Sequence, residues 1–164
     1  MFGRMEDSDD IIDKIYLYDY IINDLDKKAA HVEFGELEDH DRRLFALAIY
    51  LILANENSDY AYVYDDVGKL QPAPEYKTKQ QTGKAIGYFE EDNRLFTREF
   101  ENASVIVNLR NEKYTPDLSS YSSCYELSIN GGGSLSNQGS LTWNEIDKQT
   151  FILKPKTAVI LKCE

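Results

Sequence analysis

Apolar positions in the first third of the chain recur at helical spacing. Ile11, Ile12, Ile15, Tyr18, Ile22 and Leu25 lie on one face, and Asp13, Asp24 and Lys28 lie on the other. This period predicts a helix from Asp9 to Asp26, capped by Ser8 or Asp9. Ala29 to Phe34 reads as a strand and Gly35 to Asp39 as an acidic loop. Asp39 or Asp41 then caps a second helix, Arg42 to Ala54 (RRLFALAIYLILA), which is apolar nearly all round. Such a helix is normally buried on several sides, so it suggests packing against more protein than the chain supplies. Tyr60 to Tyr64 (YAYVY) is a strand, and Asp65 to Gly68 a turn. The order helix, strand, helix, strand is that of an α/β unit with a parallel sheet.

The pattern changes after Gln71. Gln71 to Gln81, with Pro72 and Pro74, reads as a linker or irregular loop. Gly83 to Leu109 then predicts a three-strand meander. Its first strand carries Ala85, Gly87 and Phe89 on one face, Glu90 to Asn93 turn the chain, and Leu95 to Phe100 and Ser104 to Leu109 follow. Tyr125 to Ile129, Leu141 to Ile146, Thr150 to Leu153 and Ala158 to Lys162 read as further strands, separated by Gly, Asn, Asp and Pro turns. Short strands at this spacing predict an antiparallel β-sandwich. The expected fold class is α+β. An acidic helical α/β segment, residues 1–66, packs on a β-sandwich domain, residues 67–164.

Charge supports that division. The formal net charge is -11. Residues 1–66 carry 17 acidic and 6 basic side chains, and the remainder is neutral. An excess of this sign repels phosphates, so no nucleic-acid partner is expected. No apolar run reaches the roughly 18–20 residues of a membrane span, so no membrane partner is expected either. MFGRMEDSDD does not resemble a signal peptide, which implies a soluble, cytoplasmic chain if Met1 is its start.

The two cysteines, Cys124 and Cys163, can pair across a sheet, but two buried free thiols are the preferred reading. His31 and His40 have no Cys partner at ligand spacing, so neither a metal nor a cofactor is expected. Gly131-Gly132-Gly133 lacks the Lys-Ser/Thr ending of a phosphate loop and reads as a turn. Asn102-Ala103-Ser104 matches a glycosylation acceptor, a chance match without a signal peptide. Arg94 and Arg98 share a strand face, where cross-strand pairing with Glu90 is expected.

Arg98 to Asn108 (REFENASVIVN) resembles a signature of glycoside hydrolases that have a (β/α)8 barrel followed by a small C-terminal β-sandwich. There an Arg-x-Phe-x-Asn-Gly stretch leads into an apolar strand ending in Asn-Pro. Ala103 and Leu109 stand here in place of that Gly and Pro. Leu153 to Leu161 is similar to the closing strand pair of those sandwiches. On this resemblance, Val32 to Phe34 lies in barrel strand seven and Tyr62 to Tyr64 in strand eight. A complete barrel needs about 250 residues, so the chain looks like the C-terminal end of such an enzyme, a truncated relative or one part of a split protein, catalytically silent alone.

The resemblance implies candidate sites. Glycoside hydrolysis needs two carboxylates, and strand seven supplies one in many barrel glycosidases. Glu33 is the first candidate and Glu36 the second, against the plainer reading of a solvated acidic loop. Tyr60, Tyr62 and Tyr64 share a strand face and, with Trp143, can stack on sugar rings; the plainer reading is that they fill a half-buried sheet. Carbohydrate is the expected ligand, and a second copy or a second chain completes the fold. The rival expectation is a non-catalytic β-sandwich module that binds carbohydrate or protein, or self-assembles.

Overall fold

The computed structural model describes residues 8–25, 27, 29–36, 39–55, 58–63, 73–133 and 137–164. Lys28, Tyr64, the turn Asp65 to Gly68 and the start of the 71–81 stretch lie outside the described residues, as does the boundary placed at Asp66.

The fold is α+β. Helix α1 (Ser8–Asp19) runs into a π-helical turn, Tyr20–Asp24. Strand β1 (Ala29–Phe34), helix α2 (His40–Leu53) and strand β2 (Ser58–Val63) follow, with β1 and β2 paired in parallel. A 3₁₀ turn (Pro74–Lys77) and a five-residue helix α3 (Thr78–Thr82) lead into six strands. These are β3 (Glu90–Asp92), β4 (Leu95–Glu99), β5 (Ser104–Asn108), β6 (Cys124–Asn130), β7 (Ser140–Glu145) and β8 (Thr157–Cys163). They form one antiparallel sheet in the order β3-β4-β5-β8-β6-β7.

Helix α2 is the spine. The Asp39 side chain accepts a hydrogen bond from Arg42 N at 3.1 Å, capping its first turn. From Phe45 to Leu53 no residue is more than 5% exposed. The helix packs on β4, β5, β6 and β8, and also on α1 and β2. Its all-round apolarity is therefore satisfied within this chain. The sequence argument that a second copy or chain must cover it loses its premise.

Alternation sorts the sheet into two faces. Phe96, Val105, Val107, Leu127, Ile129 and Ile160 join the core beneath α2. Leu95, Ile106, Val159 and Leu161 point to the other face, where Leu118 and Leu153 from loop segments cover them, with Tyr114 and Phe151 alongside. The antiparallel unit is thus layered like a sandwich. Its second layer is built from loops, and Thr150 to Leu153 contributes only an isolated bridge, Tyr114↔Leu153.

Three expectations are corrected. Ala85, Gly87 and Phe89 form no strand; only an Ala85↔Phe100 bridge remains, and Glu90–Asp92 is the strand. The turn moves to Asn93 and Arg94, both at positive φ (46° and 67°), the conformation that matches hairpin twist. From Pro74 onward the 71–81 stretch is helical and buries Glu75 and Thr78. Cys124 and Cys163 are not free thiols but a disulfide. They stand opposite each other in the β6–β8 ladder, with Cα atoms 4.1 Å apart. The neighbouring Ser123 and Glu164 exchange both backbone hydrogen bonds. By alternation the cysteines occupy a non-hydrogen-bonded pair, where side chains approach closest.

Candidate functional site

The β6–β8 ladder is short. It holds from Cys124↔Cys163 to Glu126↔Leu161 and then stops. Beyond it, β6 continues with β7 and β8 continues with β5. Residues 127–130 and 157–160 therefore face each other without pairing, and a cleft of about 720 Å³ opens between them. The first turn of α2 and residues 151–154 complete its walls.

Leu127, Ile129 and Phe45 provide apolar lining. Polar residues also line it: Glu126 from β6, His40 and Asp41 from α2, and Lys154 and Lys156 from the turn before β8. Glu126 is half-buried, and burial raises its carboxyl above the ordinary carboxylate range. A half-buried carboxyl beside an apolar-floored cleft can hold a proton for a ligand or accept hydrogen bonds from hydroxyls. Sequence reasoning missed this site. Alternation in YELSI places Glu126 opposite Tyr125 and Leu127, but nothing in the sequence shows where a ladder ends.

The sequence-predicted residues are placed elsewhere. Glu33 is in β1, in register with Tyr62 of β2; the side chains of both lie outside the description. Glu36 is exposed just past the C-terminal end of β1 and does not line the cleft. Tyr60 turns into an aromatic cluster. Its ring stacks on His31 at 5.8 Å (20° between planes) and tilts against Tyr50 at 5.1 Å. Trp143, on β7, is half-buried against the main core and donates from Nε1 to Gln81 Oε1 at 2.9 Å. Tyr60 thus packs in an aromatic cluster and Trp143 against the core, and each is partly buried.

The segment Arg98 to Asn108 has structural work. Arg98 Nη1 donates to Leu51 O (3.1 Å), Ile52 O (2.8 Å) and Ala54 O (2.7 Å), closing the C-terminal end of α2. This replaces the expected pairing with Glu90. Arg94 instead meets Asp9 at 2.7 Å. Asn108 is fully buried, donates to Glu112 O and Lys154 O, and accepts from Arg110 N. Ala103 is buried and is not among the residues at positive φ, so the fold does not require glycine there.

Among the described residues, no group of three or more His, Cys, Asp or Glu side chains could hold a metal ion. No helix among them is long and apolar enough to cross a membrane. No protein-family model matches the chain, and no curated protein matches it in sequence.

Proposed function

We propose that this chain is the C-terminal portion of a glycoside-hydrolase-like protein and does not hydrolyse glycosides by itself. The observation that carries the reading is the β1-α2-β2 unit. Two parallel strands joined by a buried helix are the repeat from which a (β/α)8 barrel is built. Parallel sheets occur almost only in larger assemblies with both faces covered, yet β1 pairs with β2 alone among the described residues. Glu33 and Glu36 stand at the C-terminal end of β1, the end at which barrel active sites assemble. A second carboxylate would come from barrel strands outside this sequence.

The test is the length and activity of the native polypeptide. The protein isolated from its source is expected to carry additional βα units, on the same polypeptide or on a co-purifying chain, and to cleave aryl glycosides. The 164-residue chain alone is expected to show no turnover. A native monomer of 18.9 kDa without glycosidase activity would overturn the reading.

That outcome would favour a second reading, a non-catalytic module binding carbohydrate or protein. The cleft beside Glu126 supports it, because it lies within the antiparallel sheet and needs no missing barrel. Glycan-array or peptide-array binding that is lost in Glu126→Ala distinguishes this reading from the first.

A further inference from the structure

We propose that the Cys124–Cys163 disulfide is a redox latch that holds the β6–β7 hairpin to β8 and sets the width of the cleft. The inference is independent of what the cleft binds.

The hairpin's attachment to the rest of the sheet is narrow. Strands β6 and β7 pair over six residues, and β5 and β8 over five. Strands β6 and β8 pair over three, and the disulfide stands at the closed end of that ladder. Alternation leaves Tyr125↔Lys162 as the hydrogen-bonded pair inside the named strands, with Ser123↔Glu164 just outside them. The cleft begins at Glu126, two residues from Cys124 on the same strand face. The covalent link is thus next to the point where the strands part, and it spans a sequence separation of 39 residues.

The two sulfurs differ in access. Cys124 is fully buried, whereas Cys163 is half-buried. A dithiol reductant therefore attacks Sγ of Cys163, and Sγ of Cys124 leaves as thiolate. The reductant's second thiol resolves the mixed disulfide. The balance is two electrons and two protons delivered to the protein, giving two cysteine thiols and one oxidised dithiol. What then holds the hairpin is the short ladder, its apolar contacts with α2, and two hydrogen bonds toward the end away from the disulfide, from Trp143 Nε1 to Gln81 Oε1 and from Arg43 Nη2 to Gly131 O. Local opening of a sheet segment follows when few bonds join it to its neighbour.

The experiment is amide hydrogen exchange on the full chain, oxidised and after dithiothreitol. Thiol titration of the oxidised, denatured protein should find no free thiol. Reduction should speed exchange at least ~10-fold in residues 127–130 and 140–145, while residues 105–108 of β5 change less than about twofold. Cys124→Ala/Cys163→Ala should reproduce the reduced pattern. If the double variant does not fold, the freshly reduced wild-type chain carries the result. Two titratable thiols in the purified protein would overturn the proposal. So would exchange that rises equally in β4, β5 and β7, or exchange that does not change at all.

Discussion

Arg43 and Glu75 form a bidentate ion pair in which neither side chain is exposed. Arg43 Nε lies 2.8 Å from Glu75 Oε1, and Nη2 lies 3.1 Å from Oε2. Nη2 also donates to Gly131 O at 2.8 Å. The pair joins the first turn of α2 to the 3₁₀ turn and to the end of β6, so one guanidinium fixes three segments. Desolvating two charges is costly, and removing one partner strands the other. Glu75→Ala should therefore destabilise the chain by about 3–5 kcal/mol in urea unfolding. Arg43→Met with Glu75→Leu should lose far less than the sum of the single changes. Additive losses would mean that the two side chains act separately.

Arg98 closes the other end of α2. Its Nη1 has two hydrogens and faces three carbonyl oxygens, so the bonds are shared. Cation and carbonyls suit each other twice: the carbonyls are orphans of the last turn, and the helix dipole is negative there. Burial pulls the guanidinium below its usual range, yet arginine remains charged at any ordinary pH. Arg98→Met should cost about 2 kcal/mol and speed exchange in the last turn of α2. Arg98→Lys should recover only part of that, because a single ammonium cannot also reach Gly87 O, now 3.0 Å from Nε. Full rescue by lysine would reduce the contact to simple charge.

The elements legible in the sequence were those that a local run of residue types marks. Helix α1, strand β1, helix α2 and strand β2 lie close to where those runs put them. The errors came from longer-range relations. Phe89 and Ala85 look like strand residues, but partner geometry moved the pairing to Glu90–Asp92, which no propensity favours. Two prolines made residues 71–81 read as a linker, whereas the partner of Glu75 lies 32 residues away in a helix that reads as apolar. The disulfide depends on register between strands 39 residues apart, and register is invisible in one sequence. The cleft is absent from the sequence for the same reason, since it exists where a ladder stops.

His31 couples the α/β unit to pH. It is buried among the rings of Tyr18, Tyr50 and Tyr60. Burial lowers its pKa from 6.5 to about 3. The unfolded chain therefore binds one more proton than the folded chain between those values. Stability rises with pH across that window and levels off above it. Lowering the pH from 7 to 5 should cost about 2 kcal/mol through this group alone. His31→Phe keeps a ring in the cluster and removes the titration. The urea midpoint of that variant should fall less steeply between pH 7 and 5 than wild type. Parallel profiles would assign the pH dependence to other groups.

Lys156 separates the demands of the turn from those of the cleft. It sits at φ 55° between Pro155 and Thr157, and Thr157 Oγ1 donates to Lys154 O across the same turn at 2.7 Å. The left-handed conformation costs an L-residue roughly 1–2 kcal/mol. Glycine avoids that strain but loses about 0.5–1 kcal/mol more in chain entropy on folding. The strain term is the larger, so Lys156→Gly should stabilise the chain by about 0.5 kcal/mol, a rise of roughly 1–2 °C in Tm. Lys156→Ala retains the strain and removes the same charge from the cleft rim, so it should leave Tm within about 1 °C of wild type. The two variants remove the same ammonium group. Any ligand of the cleft held by that group should be weakened equally by both, whereas only the glycine variant should melt higher. A lower Tm for Lys156→Gly would show that the turn does not store this strain, and that the lysine stem stabilises the rim by packing instead.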